Sequence, residues 1–327
     1  MSTLFLIGNG FDLNCGLDTR YTDMYEGYVS SVSKSDNIVK FKKTIASDYK
    51  LWSDFELSLA KHANTFQNET EMIECINDFS VYMRGHLLKE QERFFDLIKI
   101  EDIRKEVLEE VDRSFKSYCI GFSHNIDRLL GQRNPEFIGN IQFATFNYTK
   151  VIDKVIAEYV ARTSSYKNVL HIHGMIDEDP VLGVDNEEQL GLPYNLSSKG
   201  QRRLIKPTFN KIYDSRRVSD LLSMIRHADI IVTFGLSLGE TDITWRKEII
   251  QWLFGSPGNH LIVCDYNLST KKYETINDRL DEEEDAKLGL LESWGILNER
   301  EEFIDKIHIM CGKSIFNIKK ILEKAKK

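Results

Sequence analysis

The segment TLFLIGNGFDLNCG, Thr3 to Gly16, constrains the fold of this chain more than any other. A short apolar run from Thr3 to Ile7 stops abruptly at a glycine. That pattern describes a buried parallel strand feeding a tight turn. Gly8, Gly10 and Gly16 follow with the spacing G-x-G-x5-G. This differs from the G-x-G-x-x-G of dinucleotide dehydrogenases, but the same physics applies. Gly8 permits the sharp exit from the strand. Gly10 lets the backbone come close to a pyrophosphate, where a Cβ would clash. Amides of the turn and of the helix start behind it would hold the phosphates. Gly8, Asn9, Gly10, Phe11, Asp12 and Gly16 are therefore the expected nucleotide-binding element, although such a turn also serves as a plain strand-to-helix link.

After Gly16 the texture changes. From Tyr21 to Gln132 the chain is charged, helix-periodic and free of proline. Strand-like runs return at Ile141–Phe146, Val169–Ile172, Asp229–Phe234, Leu261–Val263 and Asp305–Met310, before a last helix at Ile315–Lys326. Helical stretches separate several of them, which predicts an α/β doubly wound, mostly parallel sheet. Residues 1–20 and 137–327 form the expected Rossmann core, and 21–136 a large helical insertion or subdomain. The Gly-, Asn-, Ser- and Pro-rich stretch Asp177–Ser215 reads as long loops beside a site. Trp52, Phe55 and Glu56 read as packing inside the insertion. The acidic run Asp281–Asp285 reads as a solvated face.

The charge balance removes some function classes. The formal net charge is -8, so no global field draws the chain to phosphate backbones, and nucleic acid is not an expected partner. The lysines of 319–327 read as the wet face of the last helix. The five cysteines, Cys15, Cys75, Cys119, Cys264 and Cys311, are scattered, with no CxxC pair. They build no zinc site and suit a reducing cytoplasm. No signal peptide and no run of ~20 apolar residues occurs, so no membrane partner is expected.

Four short blocks, in order, resemble sirtuins. GNGFDLNCG has the glycine spacing of their phosphate loop. Thr145–Thr149, TFNYT, is similar to the strand end whose Asn lies by the nicotinamide ribose. His171–Gly174, HIHG, is similar to the His-Gly of the catalytic histidine. Phe234–Leu238, FGLSL, resembles the Gly-x-Ser-Leu turn on the dinucleotide. A closer resemblance, over most of the chain, is to the abortive-infection AbiH family, through GNGFDLNCGLDTRYTDMY, FNYT, HIHG and GLSLGETD. These resemblances imply a sirtuin-like core, a role in bacterial anti-phage defence, and NAD as substrate or ligand. They also imply NAD hydrolysis to nicotinamide and ADP-ribose. A phage-derived trigger and a homo-oligomer complete the expected partners. The four-cysteine zinc module of sirtuin deacetylases has no counterpart, which argues against deacylation. The acidic residue expected two places after Asn147 is replaced by Thr149, and Asp12, Asp18 or Asp23 would have to take its part.

On this reading Asn147 orients the ribose, and His173 is the general base toward a ribose hydroxyl or water. Of the two histidines, His173 is expected to face the site and His171 the core or a neighbouring helix. Gly235 and Ser237 contact phosphate or ribose, while Leu238 packs. Asp265 stands past the LIV strand, where a carboxylate accepts from an adenosine ribose. Glu240 and Asp242 either close the site or cap the next helix. Two other readings stay open: a nucleotide-sensing module without turnover, and a metal-dependent nuclease.

Overall fold

The computed structural model describes residues 2–117, 141–160, 169–178, 182–266, 268, 275–311 and 315–325. Six strands, β1 (Thr3–Ile7), β2 (Ile141–Thr145), β3 (Leu170–His171), β4 (Ile230–Phe234), β5 (His260–Asp265) and β6 (Ile307–Cys311), form one sheet in the order β3-β2-β1-β4-β5-β6. Every pairing is parallel. This is the doubly wound order, with the reversal beside β1. The central strands are buried on both faces, as their unbroken apolar runs require. The expected α/β class and all six expected strands are present.

Helices cover both faces. One face packs β1 residues Phe5 and Ile7 with Phe143, Val232 and Ile262. The other packs Leu4, Leu6, Ile231 and Leu261 under Trp245 and Trp252. Alternate residues of β1 thus enter opposite cores, as the pleat dictates.

Between β1 and β2 lie α1 (Gly10–Asn14), α2 (Tyr21–Ser30), α3 (Asp36–Ser47), α4 (Phe55–His62), α5 (Glu69–Leu97) and α6 (Glu101–Ser117). Their starts are capped by local chemistry. Ser35 Oγ accepts from Ile38 N, Asp54 Oδ1 from Leu57 N and Asn68 Oδ1 from Glu71 N. Helices α2 to α4 and the first half of α5 enclose a core of their own, around Phe41, Trp52, Phe55 and Phe79. Segments from 176–205 complete it through Ile176, Leu182, Val184 and Leu204. The end of α5 and α6 belong elsewhere. Phe94, Val107, Val111 and Phe115 pack on the sheet, with Phe115 edge-on to Phe5 at 5.5 Å. The helical segment is therefore divided between two cores, and α5, about 43 Å long, joins them.

One expectation needs correction. The stretch 177–215 is not all loop: it contains helices Ser198–Leu204 and Lys206–Tyr213 and a short turn of helix at Glu187–Leu190. Ser197 caps the first and Pro207 stands in the first turn of the second. These are start signals that a loop-rich composition obscures. The run Asp281–Asp285 lies on the helix Ile276–Ser293. Among the described residues no helix is long and apolar enough to cross a membrane.

The glycines of the turn are needed for close packing of two loops. A Cβ on Gly8 would sit 2.4 Å from the Gly235 carbonyl oxygen and 2.8 Å from Leu236 Cα. Both obstacles are backbone and cannot swing aside. Gly235 itself has φ +62°, a conformation that suits glycine. Gly8→Ala is expected to lose about 2 kcal/mol of stability from overpacking. A urea melt showing an unchanged midpoint would contradict this account.

Candidate functional site

The carboxyl ends of the three central strands lie level. Ile7 pairs in register with Thr145 on one side and Phe234 on the other. The next residues, Gly8, Phe146–Asn147 and Gly235, open a cleft of about 330 Å³ beside the reversal in strand order. Open α/β sheets bind ligands at this position. The facing wall comes from the helical segment, through Tyr21, Met24, Asp54, Glu56 and Leu87.

A buried carboxylate anchors the cleft. Asp12 is 1% exposed. Its Oδ1 accepts from Asn147 Nδ2 at 3.1 Å, and its Oδ2 accepts from Thr149 Oγ1 at 2.6 Å. Burial raises Asp12 to about 6, less far than it would without those two donors and the nearby His171. At neutral pH it is therefore largely ionised. Of the three acidic residues named as candidates beside Thr149, Asp12 is the one in contact. Asp23 instead accepts from the Arg20 amide at 2.9 Å, and Asp18 is exposed.

The two histidines have different roles. His171 Nε2 lies 2.8 Å from Asp153 Oδ2 on the helix Val151–Val160, and its Nδ1 lies 3.2 Å from the Asn147 carbonyl oxygen. It clamps the backbone of Asn147 from behind. His173 follows the end of β3 and lines the cleft. Its ring meets Phe146 edge-on at 5.2 Å and lies 6.3 Å from Tyr148. Nε2 is 3.3 Å from Asp242 Oδ1, a polar contact that falls short of hydrogen-bond geometry. Burial and the Lys206 charge push its pKa down, against the pull of Asp242. The ring is neutral at pH 7, the form a base requires.

Behind His173 lies an ion network. Lys206 is 4% exposed. Its Nζ is 2.6 Å from Glu56 Oε2, 3.4 Å from Asp242 Oδ1 and 3.2 Å from the Thr241 carbonyl oxygen. Burial works against the ammonium, yet Asp242 and Glu56 together hold its pKa above the ordinary lysine value. Burial likewise opposes the Asp242 charge, but Lys206 holds that carboxyl well below its usual range. For Glu56 burial prevails and raises it to about 7, against Lys206. Asp185 completes the group, accepting from Thr244 Oγ1 at 2.8 Å.

A family model described as bacteriophage abortive infection AbiH matches residues 4–257. The chain belongs to the AbiH family. Membership indicates a role in anti-phage abortive infection. No curated protein matches the chain. The matched span of the AbiH model runs from β1 past β4 and takes in every residue of the cleft just described.

Of the residues expected at the site of this AbiH chain, Gly8, Asn9, Asp12, Asn147, His173, Gly235 and Ser237 line the cleft. Gly10, Phe11, Gly16 and Asp265 do not. A Cβ on Gly10 would meet Gly235 Cα at 2.5 Å, so this glycine serves contact between loops rather than access to a pyrophosphate. Phe11 is core, edge-on to Phe234 and Phe316. Gly16, at φ +78°, follows the end of α1. Asp265 ends β5, two strands from β1. The expected phosphate cradle also changes. The amides of Gly8, Gly10 and Phe11 already donate to the carbonyls of Phe234, Gly235 and Gly8. The Asn9 side chain bonds Thr19 twice, donating to its carbonyl and accepting from its hydroxyl. Among the described residues lining the cleft, Arg20 carries the cationic head nearest in kind to what a phosphate needs.

Glu56, Lys206, Asp185 and Arg20 were not expected at the site, and Glu56 was read as packing. A lone charge in an amphipathic helix looks solvated until its partner, far along the chain, is placed. For Asp242 the structure decides between two readings. It precedes the helix Ile243–Gly255, yet its side chain makes no capping bond and turns to Lys206 and His173 instead. Glu240 stays outside, near Arg246 at 3.4 Å. Leu238 is buried, as expected of packing, but sits at φ +49°, a strained backbone for leucine beside Ser237.

Proposed function

We propose that this AbiH protein acts in phage defence by binding NAD in the strand-end cleft and cleaving its nicotinamide–ribose bond. One observation supports the reading above all. Asp12, Asn147 and Thr149 form one hydrogen-bonded group, and neutral His173 stands in the same cleft. Departure of nicotinamide leaves positive charge on the ribose, with oxocarbenium character. The Asp12 carboxylate stabilises that charge, and Asn147 holds the ribose hydroxyls. Water bonds to C1′ as the bond to the nicotinamide nitrogen breaks, and His173 takes the proton. ADP-ribose, neutral nicotinamide and one proton result. Arg20 and exposed Ser237 take the pyrophosphate, in place of the turn amides.

The test is chromatography of NAD incubated with the full chain, with and without extract of phage-infected cells. Nicotinamide and ADP-ribose are the expected products. His173→Ala is expected to slow release about 100-fold and to lose protection while circular dichroism is unchanged. NAD bound tightly but never cleaved under either condition would overturn the enzymatic reading and leave a sensor.

A further inference from the structure

A second chamber of about 270 Å³ adjoins the cleft, and His173 and Asp242 line both spaces. On the chamber side the wall is Trp245, Val218 and Pro207, with Asn210, Asp185 and Lys206 among them. Asn210 is 4% exposed and its Oδ1 has no hydrogen-bond partner. An orphaned acceptor at this depth destabilises the fold unless something donates to it. At the shared wall His173 Nε2 makes no hydrogen bond, with Asp242 Oδ1 3.3 Å away.

We propose that this chamber is a base-binding subsite, taking a planar heteroaromatic ring that bears an exocyclic amino or carboxamide group. The shape and chemistry select that class. The aromatic and aliphatic wall suits a flat ring, and small-molecule sites pair such walls with a few convergent polar groups. The acceptors Asn210 Oδ1, Asp185 and Asp242 call for N–H donors. A phosphate is disfavoured, because Lys206 is already matched by Glu56 and Asp242. Asp185 adds a further carboxylate. The inference rests on the NAD reading for the ligand's identity, since NAD carries such a ring at each end. Nicotinamide and adenine share the chemistry, and the experiment separates them.

The full chain is titrated by calorimetry with nicotinamide and, separately, with adenine. Saturable binding of one base is expected. Asn210→Leu is expected to weaken it about tenfold, the worth of one buried hydrogen bond. Val218→Trp, at a half-buried wall position on the helix Ser215–His227, is expected to abolish it by filling the space. Circular dichroism checks both variants, and Val218→Trp decides if Asn210→Leu does not fold. The inference is overturned if neither base binds at millimolar concentration, or if both variants bind like the parent. Release of nicotinamide from NAD without binding of either free base would sink the chamber and spare the proposed reaction. Base binding that both variants weaken, with NAD never cleaved, would do the reverse.

Discussion

Lys206→Met is expected to destabilise the fold by about 3–5 kcal/mol, the largest loss from any single change proposed for this chain. The magnitude follows from what the variant leaves behind. Lys206 Nζ is the cation between Glu56 and Asp242, at 2.6 and 3.4 Å, in a place where it is 4% exposed. Methionine fills the volume of the stem but strands two carboxylates out of water. Removing one partner of a buried pair typically costs in this range, whereas replacing the whole pair with neutral groups costs little. Lys206→Met with Glu56→Gln is therefore expected to recover part of the loss, and the double-mutant cycle measures the coupling. The pH dependence has a definite sign. Without the ammonium, Glu56, already raised to about 7, rises further and Asp242 rises with it, so protonation favours the folded variant. The deficit against the parent shrinks as pH falls from 8 toward 5. Urea midpoints at both ends of that range provide the check. Equal deficits at both, or no rescue by Glu56→Gln, would mean that packing rather than charge holds this position.

The same network explains why part of the site could be read from the sequence and part could not. The glycine turn, Asn147, His173 and Gly235 each end a strand, and strand ends announce themselves locally: an apolar run stops and a turn residue follows. Once the strands are parallel and doubly wound, their carboxyl ends must meet. The distinction between the histidines was not legible from the pleat, because residues two apart on a strand share a face; His173 parts from His171 because β3 ends at His171 and the chain turns there. Glu56 and Lys206 had no such signal. They are 150 positions apart, one on an amphipathic helix, where it reads as packing, and one before a proline, and neither alone points to the other. Only the shared core of α2 to α5 with the 176–205 segments brings them together. The commitment of the turn amides was hidden for a related reason. Spacing shows where glycines fall, but not that the Gly8 and Gly10 amides are spent on the β4 loop. The insertion matters to the site through that same packing. Its helix α4 contributes Glu56 to the Lys206–Asp242 network behind His173.

Asp12→Asn is expected to abolish NAD cleavage and, at the same time, to stabilise the protein at neutral pH. Burial raises the folded carboxyl from 3.8 to about 6, which corresponds to about 3 kcal/mol against the ionised form. The folded state holds the proton more tightly than the unfolded state. Stability from this group is thus fully present below pH 4 and is lost as pH rises through about 6. Asparagine keeps the hydrogen bonds without the charge. Its Oδ1 accepts from Asn147, and its Nδ2 donates to the Thr149 hydroxyl, which rotates to accept. The variant is expected to gain about 1–3 kcal/mol at pH 7.5 and nothing at pH 4, where the parent carboxyl is already protonated. Turnover is expected to fall about 1,000-fold, because the transition state loses the anion facing its developing charge. The two effects have one cause. On the proposed reaction, the carboxylate is held in this cleft at a cost to folding in exchange for its charge, a trade between stability and activity. A variant that was less stable at pH 7.5, with turnover intact, would show that Asp12 is an ordinary structural anchor. The anion of the proposed reaction would then have to lie elsewhere in the cleft.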